Sequence, residues 1–117
     1  MNLVLCYEKC STCKKALKWL DEKNVEYTLR PIKEENPTAK ELSAWINKSG
    51  KEARKFFNTS GQLYREMGLS AKVRDMSQEE IVDLLATDGM LVKRPLVITD
   101  KAVLIGFRES EWEEALL

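Results

Sequence analysis

The chain has 117 residues, with 19 basic and 19 acidic side chains, three cysteines and no histidine. That length suits one domain around one hydrophobic core, and the balanced charge excludes a whole-molecule field that would recruit nucleic acid or an anionic membrane surface. An odd number of cysteines argues against a secreted disulfide framework. Because Leu3–Cys6 is too short for a signal-peptide core and no apolar run reaches spanning length, a cytoplasmic protein is expected.

Met1 to Cys6 is continuously apolar after Asn2 and predicts a short buried strand, of the kind used in parallel sheets covered on both faces. From Ser11 to about Lys23, Cys13, Ala16, Leu17 and Leu20 follow the i, i+3, i+4, i+7 spacing of an amphipathic helix. Cys13 then lies on the core side, and Cys10, ahead of the first turn, stays at the surface. Val25 to Leu29 predicts a second strand, with Tyr27 and Leu29 sharing a face, until Arg30–Pro31 interrupts it. Strand, helix and strand at this spacing predict a parallel crossover.

The middle of the chain reads as helical. Thr38 with Glu41, and Ser77 with Glu80, form capping boxes ahead of apolar helical patterns, and Gly89 is expected to cap the second of these helices. Between them, Ala53–Phe57 and Gln62–Met67 predict short helices separated by the polar loop Asn58–Gly61. Pro95–Ile98 and Ala102–Ile105 predict a hairpin across Thr99–Lys101. A last helix follows, with Ser110 and Glu113 as a third capping box and Trp112, Ala115 and Leu116 inward. Trp19, Trp45 and Trp112 all lie in helical patterns and are expected to be packing residues. The order βαβ, helical insertion, ββα predicts an α/β fold with a thioredoxin-like mixed sheet, its parts at about 1–35 and 77–117 and the insertion at about 36–76.

Cys10-Ser11-Thr12-Cys13 stands where the first strand gives way to the helix. Two cysteines so spaced can close a small disulfide ring, and the first stands where free backbone N–H groups and the helix dipole favour an anion. A free thiol titrates at roughly 8.5 and such settings lower it to about 3.5 to 7.5, so Cys10 is the candidate thiolate nucleophile, with Lys9, Lys14 and Lys15 adding positive charge. Structural zinc draws on four Cys or His ligands, and three cysteines without histidine do not supply them, so no metal is expected. Two packed cysteines without chemistry remain the plain alternative. Cys6, on the first strand, reads as core.

Four segments in order, Cys10–Ala16, Phe56–Gly61 with Tyr64–Arg65, Asp88–Pro95 and Val103–Arg108, closely resemble the Spx and arsenate reductase (ArsC) family over nearly the whole chain. Within it the chain looks most like a branch carrying the Asn58-Thr59-Ser60-Gly61 segment. The resemblance implies a thioredoxin-like fold with Cys10 as nucleophile, Arg94 holding an oxyanion and Arg108 near a second such arginine. A third family arginine aligns with Asn58, which speaks against arsenate reduction. Cys13 is absent from glutathione-dependent arsenate reductases and present in Spx proteins, which favours a dithiol centre with Cys13 as resolving cysteine.

The expected function is therefore a thiol-disulfide oxidoreductase with catalytic Cys10, Cys13 and Arg94, acting on an oxidised sulfur or on arsenate or a related oxyanion. Ser11 and Thr12 at the helix start, Asn58, Ser60 and Arg108 are the expected substrate contacts. Pro95 matches the position where thioredoxin-like folds hold a cis proline beside the reactive cysteine. No bound cofactor is expected, only an external thiol reductant, glutathione with glutaredoxin or thioredoxin. The rival implied by the same resemblance is an Spx-like regulator that binds the RNA polymerase α subunit and uses the cysteine pair as a switch.

Overall fold

The apolar run at the start of the chain forms β1, Leu3–Cys6, in the computed structural model, which describes residues 1–117. Ser11–Glu22 is α1, and Thr28–Pro31 is β2, parallel to β1 with Leu3 opposite Thr28 and Cys6 opposite Pro31. The chain returns to the sheet as β3 (Leu96–Ile98), antiparallel to β1 with Val4 opposite Val97, and β4 (Val103–Ile105), antiparallel to β3. The four strands lie in the order β2-β1-β3-β4. This is the α/β, thioredoxin-like mixed sheet expected from the element order.

Successive strand side chains point to opposite faces, so the sheet feeds two cores. Val4 and Cys6 pack with Cys13, Ala16, Trp19 and Leu20 of α1 and with Trp112 of α6 (Glu109–Leu116). Trp112 meets Trp19 and Phe107 edge to face at 5.9 and 4.8 Å between ring centres, and its indole N–H donates to the Gly106 carbonyl at 3.0 Å. On the other face Leu5, Leu96 and Ile105 join a larger core completed by the insertion, including Trp45. All three tryptophans are buried packing residues.

The insertion starts with α2 (Ala39–Ser49), where Thr38 accepts from the Glu41 N–H and the Glu41 carboxylate accepts from the Thr38 N–H. Gly50 ends it in a left-handed conformation, φ +69. A 3₁₀ turn at Ala53–Phe56, α3 (Gln62–Glu66), α4 (Leu69–Lys72) and a second 3₁₀ turn at Val73–Asp75 lead to α5 (Gln78–Leu85), capped by the Ser77–Glu80 box. No helix is long and apolar enough to cross a membrane.

Three local expectations are corrected. The second strand is Thr28–Pro31 rather than Val25–Leu29, and Leu29 is 51% exposed. The parallel pairing with β1 sets these bounds, and an edge strand tolerates a terminal proline without its N–H. α6 starts at Glu109 behind Arg108, with no side-chain cap, so Ser110 and Glu113 form no capping box and Ala115 is exposed. α5 ends at Leu85 with Ala86 as its C-cap, and Gly89 instead opens a buried 3₁₀ turn, Gly89–Leu91, where Asp88 accepts from the Met90 N–H.

Arg30, read as the end of a strand, is instead the anchor between β2 and α2. Its guanidinium donates to both Glu41 carboxylate oxygens at 2.7 and 3.0 Å and to the carbonyls of Glu35 and Asn36. The hydrogen bonds from Arg30 hold the Glu41 carboxyl down at about 2, against the upward push of burial. A depressed carboxyl stabilises the fold above its unfolded pKa of about 4.3 and loses that contribution as pH falls toward about 2. Discounted for partial exposure, the pair contributes on the order of 1–2 kcal/mol. Glu41→Gln, which keeps a capping side chain, should lower urea stability by about that amount near pH 7. The gap should close on acidification below pH ~4; a pH-independent gap would assign the loss to packing.

Candidate active site

The β1–α1 turn brings the three cysteines together. The Cys10 N–H donates to the Tyr7 carbonyl at 3.0 Å, folding the chain back so that Cys10 is the N-cap of α1 and the Lys14 N–H donates to its carbonyl at 3.1 Å. Cys10 is half-buried at the surface, whereas Cys13, on the core face of α1, is 1% exposed and meets Cys6, 4% exposed, on the facing side of β1. All three are free thiols.

The three thiols are unequal. Hydrogen bonding from the Cys6 thiol lowers Cys13 to about 6; burial opposes the shift, while the Tyr7 N–H, the Cys10 thiol and the Arg94 charge assist it. Cys6 moves the other way, pushed up by its hydrogen bond to Cys13 and by burial. Cys13 is thus the thiol stabilised as a thiolate, and its protonated partner is Cys6, the strand cysteine expected in the core.

Arg94 precedes Pro95 across a cis peptide bond, the form expected at this position. Its guanidinium stacks over the Tyr7 ring, 5.1 Å from the ring centre, which supports its face but offers no acceptor to its edge. The Nε and Nη1 groups are buried and have no hydrogen-bond partner. Orphaned donors on a charged group are costly, and Arg94 is one of the residues lining a cleft of about 570 Å³ together with Cys10, Thr12, Asn58, Ser60 and Arg108. Charge-assisted hydrogen bonds to an anion would satisfy them.

The insertion closes one wall of this cleft. Phe57 pairs with Val92, the Asn58 N–H donates to the Leu91 carbonyl at 2.8 Å and the Lys93 N–H to the Phe56 carbonyl at 2.7 Å. The backbone of Asn58 also closes its own turn, accepting from the Gly61 N–H at 3.1 Å, while its side chain stays at the cleft. Of the residues expected from sequence, Cys10, Thr12, Asn58, Ser60, Arg94 and Arg108 line the cleft; Ser11 and Pro95 do not, and Cys13 lies behind Cys10. Lys93, Gln62 and Phe107 line it too and were not anticipated. For Lys93 the signal was available, since it neighbours Arg94. No group of three His, Cys, Asp or Glu side chains is arranged to hold a metal ion.

Comparison with known proteins agrees with this architecture. The sequence profile of the ArsC family matches residues 5–115. The uncharacterized protein YusI of Bacillus subtilis is 49% identical over 108 residues, covering 92% of each chain. The crystal structure of an ArsC family related protein from Bacteroides fragilis superposes with a TM-score of 0.95 at 57% identity, covering 97% of this chain and 95% of the other. A structure described as a possible arsenate reductase from Streptococcus mutans gives 0.88 at 41% identity, covering 97% and 98%. A thioredoxin-like sheet with a helical insertion, a cysteine pair at the β1–α1 turn and a profile match across nearly all its length make this chain a member of the ArsC family.

Proposed function

We propose that this protein is a thiol-disulfide oxidoreductase in which Cys10 is the nucleophile, Cys13 the resolving cysteine and Arg94 the anion holder, with arsenate or a related oxyanion as a further acceptor. The observation that carries this reading is that Arg94, which keeps two buried donors without a partner, lines the same cleft as Cys10. Cys10 attacks one sulfur of an oxidised substrate, forming a mixed disulfide as the substrate S–S bond breaks. Its proton passes to the Cys13 thiolate and on to the departing thiolate. Cys13 then attacks the Cys10 sulfur, closing the protein disulfide and releasing the second sulfur as a thiolate, which takes its proton from water. Two electrons leave the cysteine pair, and an external thiol system, glutathione with glutaredoxin or thioredoxin, returns them.

The first test is turnover with arsenate and with small disulfides, coupled to glutaredoxin or thioredoxin. Mild oxidant should form the Cys10–Cys13 disulfide while Cys6 stays reduced; peptide mapping that finds Cys6 in the bond would reject the assigned pair. Sulfate or arsenate should protect Cys10 against alkylation, and Arg94→Ala should weaken that protection about tenfold or more, the scale of one lost charge-assisted contact. The same change should raise the Cys13 thiol, because removing a nearby cation disfavours the thiolate. Lys18→Ala, on the exposed face of α1 beside Glu22, is the control and should alter neither. Reversible oxidation without turnover of any acceptor, together with capture of the RNA polymerase α C-terminal domain, would support the regulator instead.

A further inference from the structure

Three clefts meet at Lys93. One is the cysteine cleft; a second, about 380 Å³, is bordered by Lys51, Lys55, Lys93 and Arg108, and a third, also about 380 Å³, by Arg54, Lys55, Arg74 and Lys93. The third cleft has no acidic residue in its lining, and the hydroxyl residues Thr59, Tyr64 and Ser70 complete its polar wall. Arg54 is paired with Glu52, but Lys55, Arg74 and Lys93 form no ion pair. In a chain of zero net charge, three unneutralised cations around one hollow concentrate positive potential beside the cysteines.

Lys93 joins the clefts physically. Its side chain runs over Gly106, where an added Cβ would stand 3.2 Å from Lys93 Cε and 3.9 Å from its Nζ. Gly106 itself borders the cysteine cleft, and Lys93 lines both that cleft and the basic hollow. Hydrogen bonds between the insertion and the segment before Pro95 hold both walls in place. Several cations with hydroxyl donors and no acid match a dianion with several acceptor oxygens better than a single carboxylate.

We infer that the substrate at this site is the disulfide of a small thiol bearing a phosphate-type dianion, its reacting sulfur at Cys10 and its dianion in the hollow of Lys55, Arg74 and Lys93. The inference rests on the oxidoreductase reading and names its substrate class. The chemistry is the exchange already written: the substrate S–S bond is reduced to two thiols as Cys10 and Cys13 are oxidised to a disulfide. No further reductant is needed for one turnover.

The test is a single-turnover assay of the reduced protein with three disulfides: coenzyme A disulfide, pantethine, which has the same reacting arm without phosphates, and neutral hydroxyethyl disulfide. Coenzyme A disulfide should react roughly tenfold or more faster than pantethine at low ionic strength, and the ratio should shrink as salt screens the hollow. Lys55→Gln and Arg74→Gln, at exposed residues free of ion pairs, should each cut that ratio several-fold, by roughly three to ten times. Their rates with hydroxyethyl disulfide should match wild type. Equal wild-type rates with coenzyme A disulfide and pantethine, or variants that slow all three disulfides alike, would overturn the substrate class and leave the oxidoreductase standing. Failure of every disulfide to oxidise Cys10 and Cys13 would overturn both.

Discussion

Cys10→Ser should abolish disulfide exchange, lowering the single-turnover rate by at least about a thousandfold, the scale seen when a covalent nucleophile is removed. Serine keeps the N-cap geometry but supplies a hydroxyl that does not attack sulfur at neutral pH. Cys13→Ser should behave differently. The first step would still form a mixed disulfide on Cys10, and with no resolving thiol behind it the adduct should persist and appear as a mass gain equal to one substrate thiol. Cys6 is not expected to substitute for it, because burial pushes its thiol up and leaves no thiolate to attack with. Both variants should fold, since each exchanges sulfur for oxygen at constant shape, and circular dichroism melts verify that. Residual turnover in Cys10→Ser near the wild-type rate would move the nucleophile elsewhere.

The largest stability effect should come from Gly89→Ala. A Cβ at this position would lie 1.8 Å from the carbonyl oxygen of Ile32 and 2.8 Å from its carbonyl carbon. Both obstacles are backbone, just beyond the end of β2, and cannot rotate away. The Ile32 N–H donates to the Cys6 carbonyl at 2.9 Å, so any retreat of this segment disturbs the strand that leads into the cysteine turn. Overpacking of a close-packed interior typically costs 1–3 kcal/mol, and backbone displacement adds to it, so a loss of about 3 kcal/mol or more is expected. Gly50→Ala is the informative comparison. Gly50 has a φ of +69 and open space around it, so its replacement should cost only about 1 kcal/mol, for the left-handed conformation. Equal losses at the two glycines by urea denaturation would show that steric conflict at Gly89 is relieved elsewhere.

The two effects are linked through one short region. β1 ends at Cys6, Ile32 is hydrogen-bonded to that residue, and the Tyr7–Cys10 turn follows directly. Strain introduced at Gly89 should therefore also loosen the cysteine turn, whereas Cys10→Ser should leave stability intact.

Features that neighbouring residues settle among themselves were legible before any fold was known. The Thr38–Glu41 and Ser77–Glu80 caps formed because a side chain and an N–H three positions on can meet with no help from the rest of the fold. The core face of α1, with Cys13 inward and Cys10 at its mouth, followed from helical periodicity. The family motifs likewise placed Cys10, Arg94 and Arg108, and the structure brings all three to one cleft. The third expected capping box failed because α6 begins at Glu109, one residue ahead of Ser110. The rest was decided by tertiary structure. The bounds of β2 come from its register with β1, Arg30 became an anchor because Glu41 arrives on another element, and Gly89 is small because Ile32 passes behind it. Cys13 became the stabilised thiolate because β1 delivers Cys6 to it and the segment before β3 delivers Arg94. Electrostatics and steric exclusion act over a few ångströms of space, and those distances are set only when segments far apart in the chain are packed against one sheet.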